Sequence, residues 1–191
     1  MEYYHRKYIR YNNFDYSSAG LYFITIVVKG RRNLFGNITN GCMSLNDAGR
    51  MIESTWNLLV DRFSDIDILD KVVMPNHVHF IVTHTEEKTS VIEVVRQFKA
   101  ITSRQYHLGV NEKGWIAPED HLWQRNFYDR IIRSDREYDF VRNYIYHNPE
   151  RWNKDKLNVD CNEDCDNINM IIRNIQMYKD YNPEHIFDNH Y

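Results

Sequence analysis

Two histidines separated by one residue are the feature of this sequence with the clearest chemical potential. They are His77 and His79, in the stretch MPNHVHFIV. On a β-strand, side chains two residues apart point to the same face and are separated by about 6.6 Å along the chain. Two imidazoles placed in this way can bind one divalent cation. The alternative interpretation is a pair of polar residues on a solvated sheet face, which is the commoner meaning of an arbitrary His-x-His.

A third metal ligand is expected near the histidines, because two ligands do not make a tight site. No His-x3-His or Cys-x2-Cys pattern supplies one. The segment RNYIYHNP places Tyr144 and Asn148 four residues apart, and residues at this spacing share one face of a helix. If this helix packs beside the histidines, a phenol and an amide oxygen arrive at the same cation. Alternatively, Tyr144 is one of 14 tyrosines and merely fills the core.

These residue types together could transfer a phosphoryl group. A tyrosine is a poor nucleophile at rest, because its pKa of about 10 makes phenolate formation at pH 7 cost about 4 kcal/mol. A divalent cation offsets that cost and polarises the phosphoryl oxygen under attack. The product would be a covalent phosphotyrosine that conserves the bond for a second transfer. The sequence has no Walker loop, which fits chemistry without a nucleotide cofactor.

Hydrophobic patterning predicts the elements that must position these side chains. Four strands are expected over residues 22–28, 66–74, 77–83 and 127–132. Helices are expected to begin at Ser44, Ser90 and Ser134, and Pro149 ends the third near Asn148. A further helix is expected at about 166–178. The order β-α-β-β-α-β-α plus a C-terminal helix predicts an α+β fold, a ferredoxin-like antiparallel sheet with helices packed mainly on one face.

The composition is that of a globular protein. The chain has 191 residues, of which 42% are hydrophobic and 27% charged. Its longest predominantly apolar run, residues 21–28, covers eight residues, far short of the roughly 20 that a membrane helix needs. The absence of a secretory h-region and the sparse, odd number of cysteines predict a cytoplasmic location. The net charge is −3, with +4 in residues 1–36 and −4 in residues 150–191, which leaves nucleic-acid binding open.

Four blocks of the sequence resemble one known family. In chain order they are YFITIVVKGRRNLFG, MPNHVHFIV, LWQRNFYDRIIR and YIYHNP. They resemble the REP-associated tyrosine transposases, which belong to the single-tyrosine HUH transposases of bacterial insertion sequences. The resemblance spans roughly residues 5–152. It therefore divides the chain into a transposase domain over residues 1–152 and an acidic C-terminal extension over residues 153–191.

The resemblance implies an enzyme that cuts and transfers single-stranded DNA at hairpin-forming repeats, with Mg²⁺ or Mn²⁺ and a covalent 5′-phosphotyrosine. By this likeness Tyr144 is the nucleophile, and the metal ligands are His77, His79 and Asn148. Insertion-sequence relatives have a glutamine where this chain, like the REP-associated branch, has Asn148. Because asparagine is shorter than glutamine, the neighbouring His147 is an alternative third ligand.

Candidate DNA contacts follow from charge and stacking, because cationic grooves and aromatic platforms hold single strands. The candidates are Arg31 and Arg32 in the first turn, Lys99 and Arg104 on the second helix, and Trp123 and Arg125 before the fourth strand. For each cation a solvated surface charge is the commoner role, and Trp123 could equally belong to the core.

Two other functions stay open at this point. One is a catalytically inactive module that binds hairpin DNA or RNA, and the other is a metallohydrolase for small phosphodiesters. Neither needs a covalent tyrosine. The sequence predicts no membrane partner, and it leaves open whether the protein is a monomer or a homodimer and which hairpin it recognises.

Overall fold

The computed structural model describes residues 15–84 and 89–161. The strands are β1 (Leu21–Val27), β2 (Gly36–Thr39), β3 (Cys42–Leu45), β4 (Ile66–Val73), β5 (His77–His84) and β6 (Tyr128–Ile132). The helices are α1 (Asp47–Arg62), α2 (Val91–Lys113) and α3 (Asp135–Tyr146). The helix expected at 166–178 lies outside the described residues. No helix in the described ranges has the length and hydropathy to cross a bilayer, and the cytoplasmic location stays a prediction.

The main sheet has four strands in the order β4-β5-β1-β6, and every neighbouring pair is antiparallel. This is the order of a ferredoxin-like sheet, and the predicted α+β fold is confirmed. The four predicted strands agree with the observed ones to within one residue at each end. The agreement is close because β-branched and aromatic runs bounded by Gly, Pro and Asn leave little freedom in placing buried strands.

A small hairpin of β2 and β3 precedes α1 and was not predicted. Its turn is Asn40-Gly41, and both residues have positive φ angles, 52° and 73°. Asn-Gly is the usual signal of a tight hairpin turn, so the sequence contained the cue. The hairpin moves the start of α1: the N-cap is Asn46, whose side chain accepts from the Gly49 N–H, and the prediction of Ser44 was wrong.

The two faces of the sheet bury different helices. Every second side chain of β1 and β5 packs with α1 and α2 in the main core, and this set includes Ile24 and Phe80. The side chains between them, which include Phe23 and Ile81, point to the other face and pack with α3. Since successive side chains on a strand alternate between faces, this places His77 and His79 on the face that α3 covers. Helix α3 therefore lies on the same face of the sheet as the two histidines, as the predicted metal site requires.

Ion pairs and hydrogen bonds fasten α3 to the sheet at its first two turns. Ser134 caps the helix by accepting from the Glu137 N–H. The Glu137 carboxylate accepts from the Arg130 guanidinium of β6 at 2.6 Å. Tyr138 donates its hydroxyl to Asp70 of β4 at 2.9 Å. The start of the helix is therefore held by strands at both edges of the sheet.

The close approach of α1 to the loop before β2 gives a testable consequence. A side-chain carbon at Gly49 would overlap the backbone carbonyl oxygen of Phe35. We expect Gly49→Ala to lower the free energy of unfolding by about 1–3 kcal/mol, although alanine favours helices. Gly20→Ala is the control, because its new carbon would make an ordinary contact with the Tyr22 ring at 3.6 Å. Urea unfolding measures both, and equal losses would contradict this account.

Candidate active site

The two histidines converge at the start of β5. The chain enters the strand from the Pro75-Asn76 turn, and the imidazole Nε2 atoms of His77 and His79 lie 3.0 Å apart. Both rings are buried, with 0% and 1% of their surface exposed. The alternative of two solvated surface histidines is therefore wrong, and the pair forms one compact group of nitrogen atoms inside the protein.

The outer nitrogen of each ring is held by a neighbouring polar group. The Nδ1 atom of His77 lies 2.8 Å from Oδ1 of Asn76, an acceptor, so the ring donates there and keeps a lone pair on Nε2. The side-chain nitrogen of Asn76 donates to the carbonyls of Arg31 and Leu157, which fixes which end of its amide faces the ring. The Nδ1 atom of His79 lies 2.8 Å from the Thr25 hydroxyl, which can accept in the same way. Such partners orient histidines at metal sites.

Two buried oxygen atoms face this pair without a hydrogen-bond donor. They are Oδ1 of Asn148 and Oδ2 of Asp155, and neither has a hydrogen-bond partner of normal geometry among the described residues. Ligand atoms of His77, His79 and Asp155 all lie within 4.8 Å of one another. Unpaired buried acceptors are costly unless a positive group is present. The donor set of imidazole nitrogens and oxygens therefore fits a divalent cation.

Burial keeps both imidazoles neutral. It lowers the pKa of His77, an effect that the charge of Asp155 and the nearby amide of Asn148 partly oppose. Burial also holds the pKa of His79 well below its ordinary value, and the neighbouring His77 lowers it further. A neutral imidazole is the form that binds a metal, so no proton has to be displaced near pH 7.

Helix α3 brings Tyr144 to the histidines. The centroid of its ring lies 5.3 Å from that of His79 in an edge-on contact, and 6.1 Å from that of Phe23. Only 8% of Tyr144 is exposed, whereas Tyr146 is 77% exposed on another side of the helix. The helical spacing of the sequence thus selects one of these two tyrosines for the site, and the fold places it beside the imidazoles.

The third-ligand candidates diverge where α3 ends. The helix stops at Tyr146, so Asn148 enters the site from the turn that follows. Its side chain is 1% exposed and lies close to His77. The ring of His147 instead lies 3.0 Å from the Glu150 carboxylate. Asp155 was not among the predicted site residues, because it falls in the segment interpreted as an acidic extension with no assigned role.

The predicted DNA contacts differ in their surroundings. Arg31 lies at the edge of the site, because its carbonyl accepts from Asn76 and its guanidinium donates to the Lys156 carbonyl. The Arg32 guanidinium donates to the carbonyl of Ala117. Arg104 and Arg125 are exposed.

Two of the predicted DNA contacts have structural roles in this state. Trp123 is 5% exposed and donates its indole N–H to the Thr102 hydroxyl at 2.8 Å. Its ring packs in the core, which is the alternative role that the sequence left open, and in this state it offers no stacking surface to a base. The Lys99 ammonium donates to the carbonyls of residues 124–126. Both side chains hold the loop before β6 against α2.

Comparison with known proteins gives consistent matches. A family model described as "Transposase IS200 like" matches residues 18–148. A Haemophilus influenzae protein described only as uncharacterized is 35% identical over 172 residues, which cover 82% of this chain and 94% of that protein. A second protein of this organism, named as a candidate REP-associated tyrosine transposase, is 24% identical over 138 residues, 71% of this chain and 73% of its own.

A solved structure shares the fold. It is a REP-associated tyrosine transposase bound to a REP hairpin, and it matches with a TM-score of 0.57. The two chains are 22% identical, and the match covers 74% of this chain and 73% of the other. At this identity the likeness shows a common fold alone.

The buried, neutral His79 predicts a pH-dependent stability in metal-free protein. Its pKa is lowered in the folded state, while an unfolded histidine titrates near 6.5. The unfolded chain therefore binds protons first, and stability falls as the pH drops below about 6.5. Below pH 6.5, we expect His79→Gln to reduce this slope by up to about 1.4 kcal/mol per pH unit.

Urea unfolding with a chelator at several pH values measures the slope. His121→Gln is the matched control, because the side chain of His121 is exposed and gains nothing from burial. An unchanged slope in His79→Gln would show that the buried ring is not the titrating group.

Proposed function

This chain belongs to the IS200-like transposase family, and from that premise we propose that it is a metal-dependent endonuclease and strand transferase for single-stranded DNA. The family recognised from four sequence blocks is confirmed. We further propose that it cleaves at hairpin-forming repeats through a covalent 5′-phosphotyrosine on Tyr144. The relative of similar fold is bound to a REP hairpin, which supports a DNA hairpin as the partner.

One observation carries the proposal: the tyrosine helix packs on the face of the sheet that bears the histidine pair. Had α3 lain on the face covered by α1 and α2, the phenol and the imidazoles would be separated by the sheet. Instead the rings of Tyr144 and His79 are in contact, and the Phe23 ring packs against both. The nucleophile and the cation ligands are then parts of one site.

The proposed reaction has two balanced steps. The phenol oxygen of Tyr144 attacks the phosphorus of a single-strand phosphodiester and loses its proton. The bond to the 3′ oxygen breaks, and the leaving group takes up a proton as a 3′-hydroxyl. A second 3′-hydroxyl later attacks the phosphotyrosine, rejoins the DNA and releases Tyr144. Because each step exchanges one phosphodiester for another, no nucleotide has to be hydrolysed.

The chain prepares this site with its own residues. Asn76 and Thr25 orient the imidazoles of His77 and His79, and these rings with the oxygen of Asn148 would hold Mg²⁺ or Mn²⁺. When bound, the cation supplies positive charge that favours the tyrosinate and polarises the phosphoryl oxygen. Oxygen donors suit both of these hard ions.

The closed state of the site favours a second candidate, hairpin binding without cleavage. Each of the side chains of His77, His79, Asn148 and Tyr144 is no more than 8% exposed. A DNA phosphate can reach them only if neighbouring residues move. If these residues do not move, the protein would still bind a hairpin at its surface without cleaving it.

Replacement of the phenol hydroxyl separates these candidates. With a labelled hairpin oligonucleotide and Mn²⁺, we expect wild type to form a covalent protein–DNA adduct on a denaturing gel. Tyr144→Phe removes the attacking oxygen, so its adduct should fall by at least about 10³-fold. Tyr146→Phe is the matched control, because this tyrosine lies on the same helix and is exposed.

Three outcomes would contradict parts of the proposal. An adduct of normal yield in Tyr144→Phe would show that another residue is the nucleophile. Intact oligonucleotide with tight binding by wild type would favour the non-cleaving candidate. Cleavage of a generic phosphodiester that survives Tyr144→Phe would favour a metallohydrolase.

The position of Arg31 beside Asn76 predicts a phosphate contact near the site. We expect Arg31→Gln to weaken single-strand binding and to reduce the slope of log K against log salt by about 0.7, the value for one phosphate. Arg50→Gln on α1 is the control, because its guanidinium is ion-paired with Asp47. Fluorescence anisotropy at several salt concentrations measures both. Equal slopes in wild type and Arg31→Gln would exclude the contact.

A further inference from the structure

We propose that Asp155 is a carboxylate ligand of the metal ion in this site. Asp155 lies seven residues beyond the end of the family match at residue 148, in the segment that follows α3. The inference extends the proposed function, since it concerns the same cation, but it can be tested without DNA cleavage. It assigns a catalytic part to a segment that resembles no block of the family.

The local structure aims one carboxylate oxygen at the histidines. A single 3₁₀ turn over Trp152–Lys154 precedes Asp155, and the ring centroids of Trp152 and His77 are 6.0 Å apart. Oδ1 of Asp155 accepts from the Leu157 N–H at 2.7 Å. With Oδ1 held by its own chain, Oδ2 lies 3.7 Å from Nε2 of His77.

The segment is fastened to the histidine strand by direct hydrogen bonds. The Asn76 amide that orients His77 also donates to the Leu157 carbonyl at 2.9 Å. The Arg31 guanidinium donates to the Lys156 carbonyl at 3.2 Å. The position of the carboxylate is therefore set by the same group that sets the first imidazole.

The surroundings of Asp155 leave a charge without compensation. The residue is 6% exposed, and its Oδ2 atom has no hydrogen-bond donor in the described part of the chain. Its nearest ring is a buried imidazole, and Oδ1 of Asn148 is a further acceptor without a donor. A buried carboxylate is costly unless a positive group pairs with it. A divalent cation bound between these carboxylate, amide and imidazole groups would supply that charge and contact both unpaired oxygens.

Metal titration in the absence of DNA tests the inference. We expect Asp155→Asn to weaken Mn²⁺ binding at least tenfold, because even outer-shell changes at metal sites cost 10- to 100-fold. Asp160→Asn is the matched control, since it removes an exposed carboxylate from the same segment. Electron paramagnetic resonance of free Mn²⁺ at fixed pH gives the affinities of the full-length proteins.

Thermal melting distinguishes a ligand from a structural carboxylate. In metal-free protein, Asp155→Asn should melt at or above the wild-type temperature, because an unpaired buried charge is replaced by a neutral amide. Its rise in melting temperature on addition of Mn²⁺ should be smaller than that of wild type. Since this rise is measured against each variant's own metal-free value, a change in basal stability does not mimic it.

Wild-type Mn²⁺ affinity in Asp155→Asn overturns the inference, as does an equal loss in Asp160→Asn. A role as counter-ion to a protonated His77 predicts a lower metal-free melting temperature with unchanged Mn²⁺ affinity, which also overturns it. These results are separable from the proposed function. A wild-type protein that binds Mn²⁺ through Asp155 but never forms a DNA adduct would disprove the nuclease and leave the ligand assignment intact.

Discussion

The site depends on an excess of buried acceptor atoms over donors. The Nε2 atoms of His77 and His79 are 3.0 Å apart, and the unpaired oxygens of Asn148 and Asp155 accompany them. A protein interior rarely leaves such groups unpaired, because each one loses its hydration without a replacement. A divalent cation bound here would contact both unpaired oxygens and the imidazole nitrogens at once. The rest of the structure forms a frame that holds these nitrogen and oxygen atoms close together and shields them from water.

That frame is a sheet buried on both faces. One face carries the main core with α1 and α2, which gives β1 and β5 a rigid backing. The other face carries the histidines and a smaller apolar cluster that includes Phe23 and Tyr144. Aromatic packing sets the spacing between the tyrosine and the imidazole, while hydrogen bonds from Thr25 and Asn76 set the ring orientations. Position and orientation are therefore controlled by different kinds of interaction.

Asn76 links parts of the chain that are far apart in sequence. Its amide contacts the turn after β1 through Arg31, the first histidine of β5, and the segment after α3 through Leu157. All three contacts are made by one fully buried side chain. A polar side chain in this position is tolerated because each of its bonding groups is satisfied. It also means that the order of the C-terminal segment and the geometry of the histidines are coupled.

The sequence by itself determined the elements and the residues that local spacing can reveal. The bounds of the four main strands, the His-x-His pair and the Tyr144–Asn148 spacing all follow from periods of two or four residues, which short-range sterics impose. The β2–β3 hairpin was not predicted although Asn40-Gly41 signalled it, because its strands are only four residues long and too short for a clear alternation of apolar and polar residues.

Only the tertiary structure decided which distant groups meet. The tertiary structure buried Trp123 in the core, where its indole N–H pairs with Thr102, and it brought Asp155 to His77, 78 positions earlier in the sequence. From charge alone, the segment that contains Asp155 was interpreted as part of an acidic extension. Composition carries no information on where a carboxylate is packed. Contacts between distant residues depend on how the helices and loops fill space against the sheet, and no local spacing rule encodes that.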